Sequence, residues 1–90
     1  MIKTMDLLNR LMVEKQLLSL RDVARFLDIT HTTVHKWHKG GTMSDEMACE
    51  IAEILGLDVD LVLLAIIAER SKSNRVIEAV EKAIESRKIA

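Results

Sequence analysis

"SLRDVARFLDITHTTVHKWHKG", residues 19–40, contains the chain's only tryptophan, its only phenylalanine and all three of its histidines. Two short periodic segments flank a break inside it. Ser19, with Asp22 three residues later, resembles a capping box, and Leu20, Val23, Ala24 and Leu27 then recur at helical spacing, which predicts a helix of about eight residues. Asp28 and Ile29 interrupt the pattern. Thr30 is a good N-cap for a second helix, which ends at Gly40-Gly41 because glycine suits the left-handed position after a helix. At about 100° per residue, Val34 and Trp37 fall on one inward stripe of that helix. His31, Thr32, His35, Lys36 and Lys39 fall on an outward arc that holds no apolar side chain, and each is a hydrogen-bond donor or a cation.

Two short helices joined by a tight turn, the second pinned by two core residues and offering donors outward, form the arrangement that sets a helix into the DNA major groove. The same residues carry a resemblance. "LRDVARFLDITHTTVHKWHKG" resembles the helix-turn-helix of the Cro and lambda-repressor type, in the positions of Ala24, Leu27, Ile29, Thr30, Thr33, Val34, Trp37 and Gly40. The likeness runs from about Met5 to Leu57 and implies an all-α, five-helix lambda-repressor-like DNA-binding domain. Two positions depart from the family's pattern. Asp28 replaces the turn glycine, and aspartate enters the left-handed region more readily than most residues. His31 replaces a frequent glutamine, and an imidazole cannot make the bidentate adenine contact of an amide.

The resemblance implies base reading by His31, Thr32 and Lys36, with Thr33 and His35 flanking, and places Lys39 and Thr42 against phosphates. Physical chemistry agrees about the donors: a lysine reaches guanine O6 or N7, and a threonine bonds a base edge or touches a thymine methyl. The backbone N–H groups at Ser19 and Leu20 suit a phosphate, with Arg21 and Arg25 adding charge nearby and Thr30 capping the reading helix beside the backbone. Such a chain is expected to act on a double-stranded, near-palindromic operator as a homodimer, as a transcriptional regulator and most simply a repressor, in the manner of small phage and prophage regulators.

Outward from this stretch, helical spacing continues. Met5, Leu8 and Met12 predict a first helix from about Thr4 to Gln16. Ser44, Asp45 and Glu46 open a fourth, with Met47, Ala48, Ile51, Ala52 and Leu55 inward and Gly56 at its end. Asp58 caps a fifth, apolar nearly all round, with one stripe of Val59, Val62, Leu63 and Ile66 and another of Leu61, Leu64, Ala65 and Ala68. A helix of that pattern must be covered on several sides. "SKSNR", residues 71–75, is linker-like and leads to an additional C-terminal helix with Val76, Ile77, Val80, Ala83 and Ile84 on one face. Residues 1–70 are thus expected to form the helix-turn-helix domain and residues 71–90 an extension. Leu61, Leu64, Ala65, Ala68, Val76, Ile77, Val80 and Ile84 are the expected dimer interface, unless the last helix packs on its own domain.

Composition bounds the alternatives. The 90 residues are 49% hydrophobic and 30% charged, with no proline, the balance of a single globular helical domain. Net charge is −1 but segregated, at +3 over residues 1–41, −6 over 42–71 and +2 over 72–90, so the half carrying the histidines can face a polyanion. The most apolar window, Val59 to Ala68, is about half of what a bilayer-spanning helix needs. A lone cysteine, Cys49, and the lack of an export signal lead to the expectation of a cytoplasmic protein without disulfides.

His31, His35 and His38 lie at i, i+4 and i+7, but three ligands from one rigid helix close a metal site badly, and neither metal nor cofactor is expected. His38 points toward the core side of the wheel, as a packed polar residue. No glycine-rich phosphate loop, paired nucleophile and base, or carboxylate pair supports an enzyme. The competing reading is a protein-interaction or antitoxin-type module that uses the apolar fifth and sixth helices to hold a partner, whereas the DNA-binding reading leaves room for a protein antagonist that releases the DNA. Salt separates the two readings, because phosphate contacts weaken steeply with added salt and apolar contacts do not.

Overall fold

Side-chain caps start the helices where the sequence places polar residues ahead of apolar runs. The computed structural model describes residues 1–89, with side chains through Arg87. The chain is all-α: α1 (Thr4–Glu14), α2 (Leu20–Leu27), α3 (His31–His38), α4 (Asp45–Leu55), α5 (Val59–Arg70) and α6 (Asn74–Ile89), with no strand among the described residues. The hydroxyls of Ser19, Thr30 and Ser44 accept from the backbone N–H three residues on, and the Asp58 carboxylate does the same for Leu61. The capping box at Ser19 is shifted by one residue. Asp22 Oδ2 accepts from the N–H of Leu18, 3.2 Å away, while the N–H of Asp22 donates to Ser19 Oγ.

The first four helices end alike. In each, one N–H reaches back to a carbonyl five residues earlier and the preceding N–H to a carbonyl three residues earlier, around a left-handed residue: Gln16, Asp28, Gly40 and Gly56. Asp28 has φ 56 and ψ 47, as its place in the turn requires. The first helix stops at Glu14, two residues short of the sequence expectation, because Gln16 takes φ 56 and turns the chain.

One core joins the first five helices. Leu7, Leu8 and Leu11 of α1, Val23, Ala24 and Leu27 of α2, Val34 and Trp37 of α3, Met43, then Ala48, Ile51 and Ala52 of α4 and Val62 and Ile66 of α5 pack together. The α1 stripe is therefore rotated from the one expected, since Met5 and Met12 are only half-buried at its edges. α4 and α6 pack on different sides of α5, which covers that all-round apolar helix except for a flank where Leu63 and Ile67 stay half-buried.

Because α6 folds back onto α5, several residues expected at a dimer interface are already enclosed within the chain. Ala65 is 2%, Ala68 1% and Ile84 9% exposed. Leu61, Leu64, Ile77 and Val80 are half-buried, and Val76 is 40% exposed. Arg87 of α6 approaches Asp58 and Asp60 at the start of α5, at 3.6 and 3.3 Å. These exposed pairs orient α6 more than they stabilise it.

Candidate nucleic-acid interface

α3 is held by its two inward side chains. Val34 is fully buried and Trp37 is 3% exposed, so both rest in the core against neighbouring helices. The other side of the helix is not covered by the chain. Thr32, His35, Lys36 and Lys39 are exposed, and His31 is half-buried at the head of the helix. The His31 and His35 rings lie side by side, with centroids 5.9 Å apart and a tilt of 31°. His38, expected on the core side, is exposed. It sits in the last turn of α3, beside the buried Trp37 but off the Val34–Trp37 stripe that alone is covered by the core. No group of three or more histidine, cysteine or carboxylate side chains is gathered in a metal-binding arrangement among the described residues.

Thr30 and Thr33 share a local network. Thr30 Oγ1 accepts from the Thr33 N–H at 3.3 Å and stands 2.9 Å from the Thr33 hydroxyl. Thr33 is half-buried and its hydroxyl serves the cap, so it borders the outward surface without standing on it. On α2, Arg21 and Arg25 are exposed. Arg25 lies 3.8 Å from Asp22, a weak solvated pair that leaves the guanidinium available. Leu20 and Arg21 occupy the first helical turn, where N–H groups have no intrahelical acceptor and point outward beyond the Ser19 cap. The α2–α3 unit thus offers one backbone-donor edge, at the start of α2, and one side-chain donor surface, on α3.

The exit from α3 is fixed by contacts that helical periodicity does not reveal. Gly40 takes φ 104, and Gly41 donates to Lys36 O at 2.8 Å. A Cβ at Gly41 would stand 2.9 Å from that same oxygen, so only glycine allows the chain to pass so close beneath the helix. Two residues on, Met43 is fully buried. Its N–H donates to Thr4 Oγ1 at 3.1 Å and its carbonyl accepts from Arg70 Nη1 at 3.0 Å. Thr4, also fully buried, donates its N–H and its hydroxyl to Glu69 Oε1 at 2.9 and 2.7 Å. Arg70 also pairs with Asp45 at the start of α4. This polar node ties the loop after α3 to the start of α1 and the end of α5. Sequence reasoning missed it, because Thr4, Met43, Glu69 and Arg70 form no local motif. The only sequence signal was a threonine opening a helix in place of an apolar residue.

Thr42, half-buried, lies between Gly41 and Met43 in the same loop, next to Lys39 at the end of α3. The residues expected at the DNA are therefore carried on one continuous unit, while the expected dimer residues lie apart on α5 and α6. A family model described as helix-turn-helix matches residues 10–62, more than half of the chain. That span contains α2, α3 and α4 entire. No curated protein and no solved structure matches. No helix among the described residues is long and apolar enough to cross a membrane. A buried Val34–Trp37 anchor, an uncovered donor surface opposite it and this family match coincide on the same residues. The chain therefore belongs to the Cro/lambda-repressor-type helix-turn-helix family, whose members are DNA-binding transcription regulators.

Proposed function

We propose that the protein is a repressor that binds a near-palindromic operator as a homodimer, with one α3 in each of two successive major-groove turns, about 34 Å apart. The observation that carries this reading is the uncovered outer surface of α3, fixed by Val34 and Trp37 on its other side. His31, Thr32 and Lys36 read base edges, with His35 and Thr33 at the margin. Lys39 and Thr42 at the end of α3, and Ser19, Leu20, Arg21, Arg25 and Thr30 around α2 and its turn, hold phosphates and set the register. Repression follows from steric exclusion of polymerase at the occupied site. Dimerisation uses the parts of α5 and α6 that the single chain leaves open, and residues 71–89 serve as an integral extension of the domain, Ala90 of the expected 71–90 segment lying outside the described residues.

Mobility shifts against the DNA upstream of the protein's own gene, at two salt concentrations, test the reading. Specific binding that weakens steeply with salt supports it. Lys36→Ala or Thr32→Ala should cost about 1–3 kcal/mol on the operator and relax selectivity, whereas Lys39→Ala should weaken all sequences about evenly. Equal losses on operator and random DNA for all three variants would remove α3 as the reading helix. Binding indifferent to salt would favour the protein-interaction or antitoxin-type reading.

A further inference from the structure

The side of α5 turned away from α6 is not fully covered. Leu63 and Ile67 of α5 and Cys49 of α4 line an open groove of about 470 Å³, and Glu46, Glu50 and Glu53 of α4 stand along it. The three apolar side chains are half-buried and the three carboxylates exposed. Among the described residues none of those carboxylates is in an ion pair. An apolar floor beside unneutralised carboxylates favours an occupant that is apolar on one strip and cationic along its edge.

The outer side of α6 has that character. Ile77 and Ile84 face α5, which leaves Val76, Ala79 and Ala83 on an exposed strip with Arg75 and Lys82 beside it. Neither Arg75 nor Lys82 is in an ion pair among the described residues, whereas Arg87, nearer the α5 side, is engaged by Asp58 and Asp60. The spacings agree as well. Glu46 to Glu53 and Arg75 to Lys82 each span seven residues of helix, about 10 Å, so two cations along one helix can meet carboxylates at both ends of the other.

We infer that α6 of one copy lies in the α4–α5 groove of a second copy, with Val76, Ala79 and Ala83 on Leu63, Ile67 and Cys49, and with Arg75 and Lys82 against the carboxylates of α4. The arrangement is reciprocal, so a two-fold axis forms the same contact twice. It deepens the dimeric reading proposed above and rests on it. Each α6 stays on its own α5 and is shared between two chains, which covers the last open flank of that helix.

Charge-swapped full-length chains test this by sedimentation or light scattering at about 150 mM salt, where exposed pairs are screened but not abolished. Glu46→Lys with Glu53→Lys, and separately Arg75→Glu with Lys82→Glu, should each weaken homodimerisation at least about tenfold. Mixed one to one, they should pair again, because both contacts of the mixed dimer then join opposite charges. The neutral pair Glu46→Gln with Glu53→Gln, which adds no new repulsion to the fold, should weaken the dimer to a lesser degree, and helical circular dichroism checks folding throughout. Unchanged dimers in the variants, variants that fail to re-pair on mixing, or a wild type that stays monomeric would each overturn the inference. A dimer that obeys the swap but binds no operator would count against the regulatory reading and leave this pairing intact.

Discussion

Gln16 and Asp28 hold backbone angles that glycine holds at the matching exits of α3 and α4. Both have φ 56, where a side chain crowds the following carbonyl at a cost of about 1–2 kcal/mol. Aspartate recovers part of that cost through its short polar side chain, while glutamine does not. Gln16→Gly should therefore raise stability by about 0.5–1 kcal/mol, net of glycine's greater freedom in the unfolded chain, as read by urea denaturation. Asp28→Gly should gain less. A loss of stability in Gln16→Gly would show that its exposed side chain contributes something other than strain. Asp28 was legible in the sequence, since its interruption of two helical patterns and its place in the family's turn both pointed to a left-handed residue. Gln16 was not legible, because nothing local distinguishes a glutamine that ends a helix from one that continues it.

Among the elements, α3 depends most on its end. Its two-residue apolar stripe makes it a weak helix alone, and with eight residues it relies on packing and on closure at both termini. Thr30 closes the start. At the other end, Gly41 lies so close to Lys36 O that an added methyl must push the loop away from the helix. Gly41→Ala should lower stability by about 1–3 kcal/mol and weaken operator binding beyond that loss, because the displaced loop carries Thr42 and follows Lys39. Denaturation and mobility shifts read the two effects separately, and an operator affinity equal to wild type in the folded variant would detach the loop from recognition. The sequence announced glycine at this exit. It did not announce that Gly40 supplies the angle and Gly41 the space, since that difference lies in the path of the chain past Lys36.

At the scale of the whole molecule, the Thr4–Glu69–Met43–Arg70 node decides how α3 is presented. Its hydrogen bonds join positions 65, 39 and 27 residues apart in sequence. Thr4→Val keeps the shape but leaves the Met43 N–H and the Glu69 carboxylate without the hydroxyl, which should cost about 2–3 kcal/mol. Thr4→Ser keeps the hydroxyl and loses one methyl, for about 1 kcal/mol. Hydrogen exchange at Met43 together with denaturation checks the ordering, and equal losses in the two variants would assign the residue to packing alone.

Helix number, helix starts, the Val34–Trp37 stripe and the donor arc opposite it were determined by the sequence itself. Each depends on residues within about one or two turns of each other, where periodicity and capping act. Only the tertiary structure decided the rest: that α1 turns Leu7 and Leu11 inward in place of Met5 and Met12, that His38 stands in solvent, and that α6 folds back to bury Ala65, Ala68 and Ile84. An apolar residue specifies that it must be covered but not by what. The cover comes from chain distant in sequence, and its identity is fixed only when all the helices have packed.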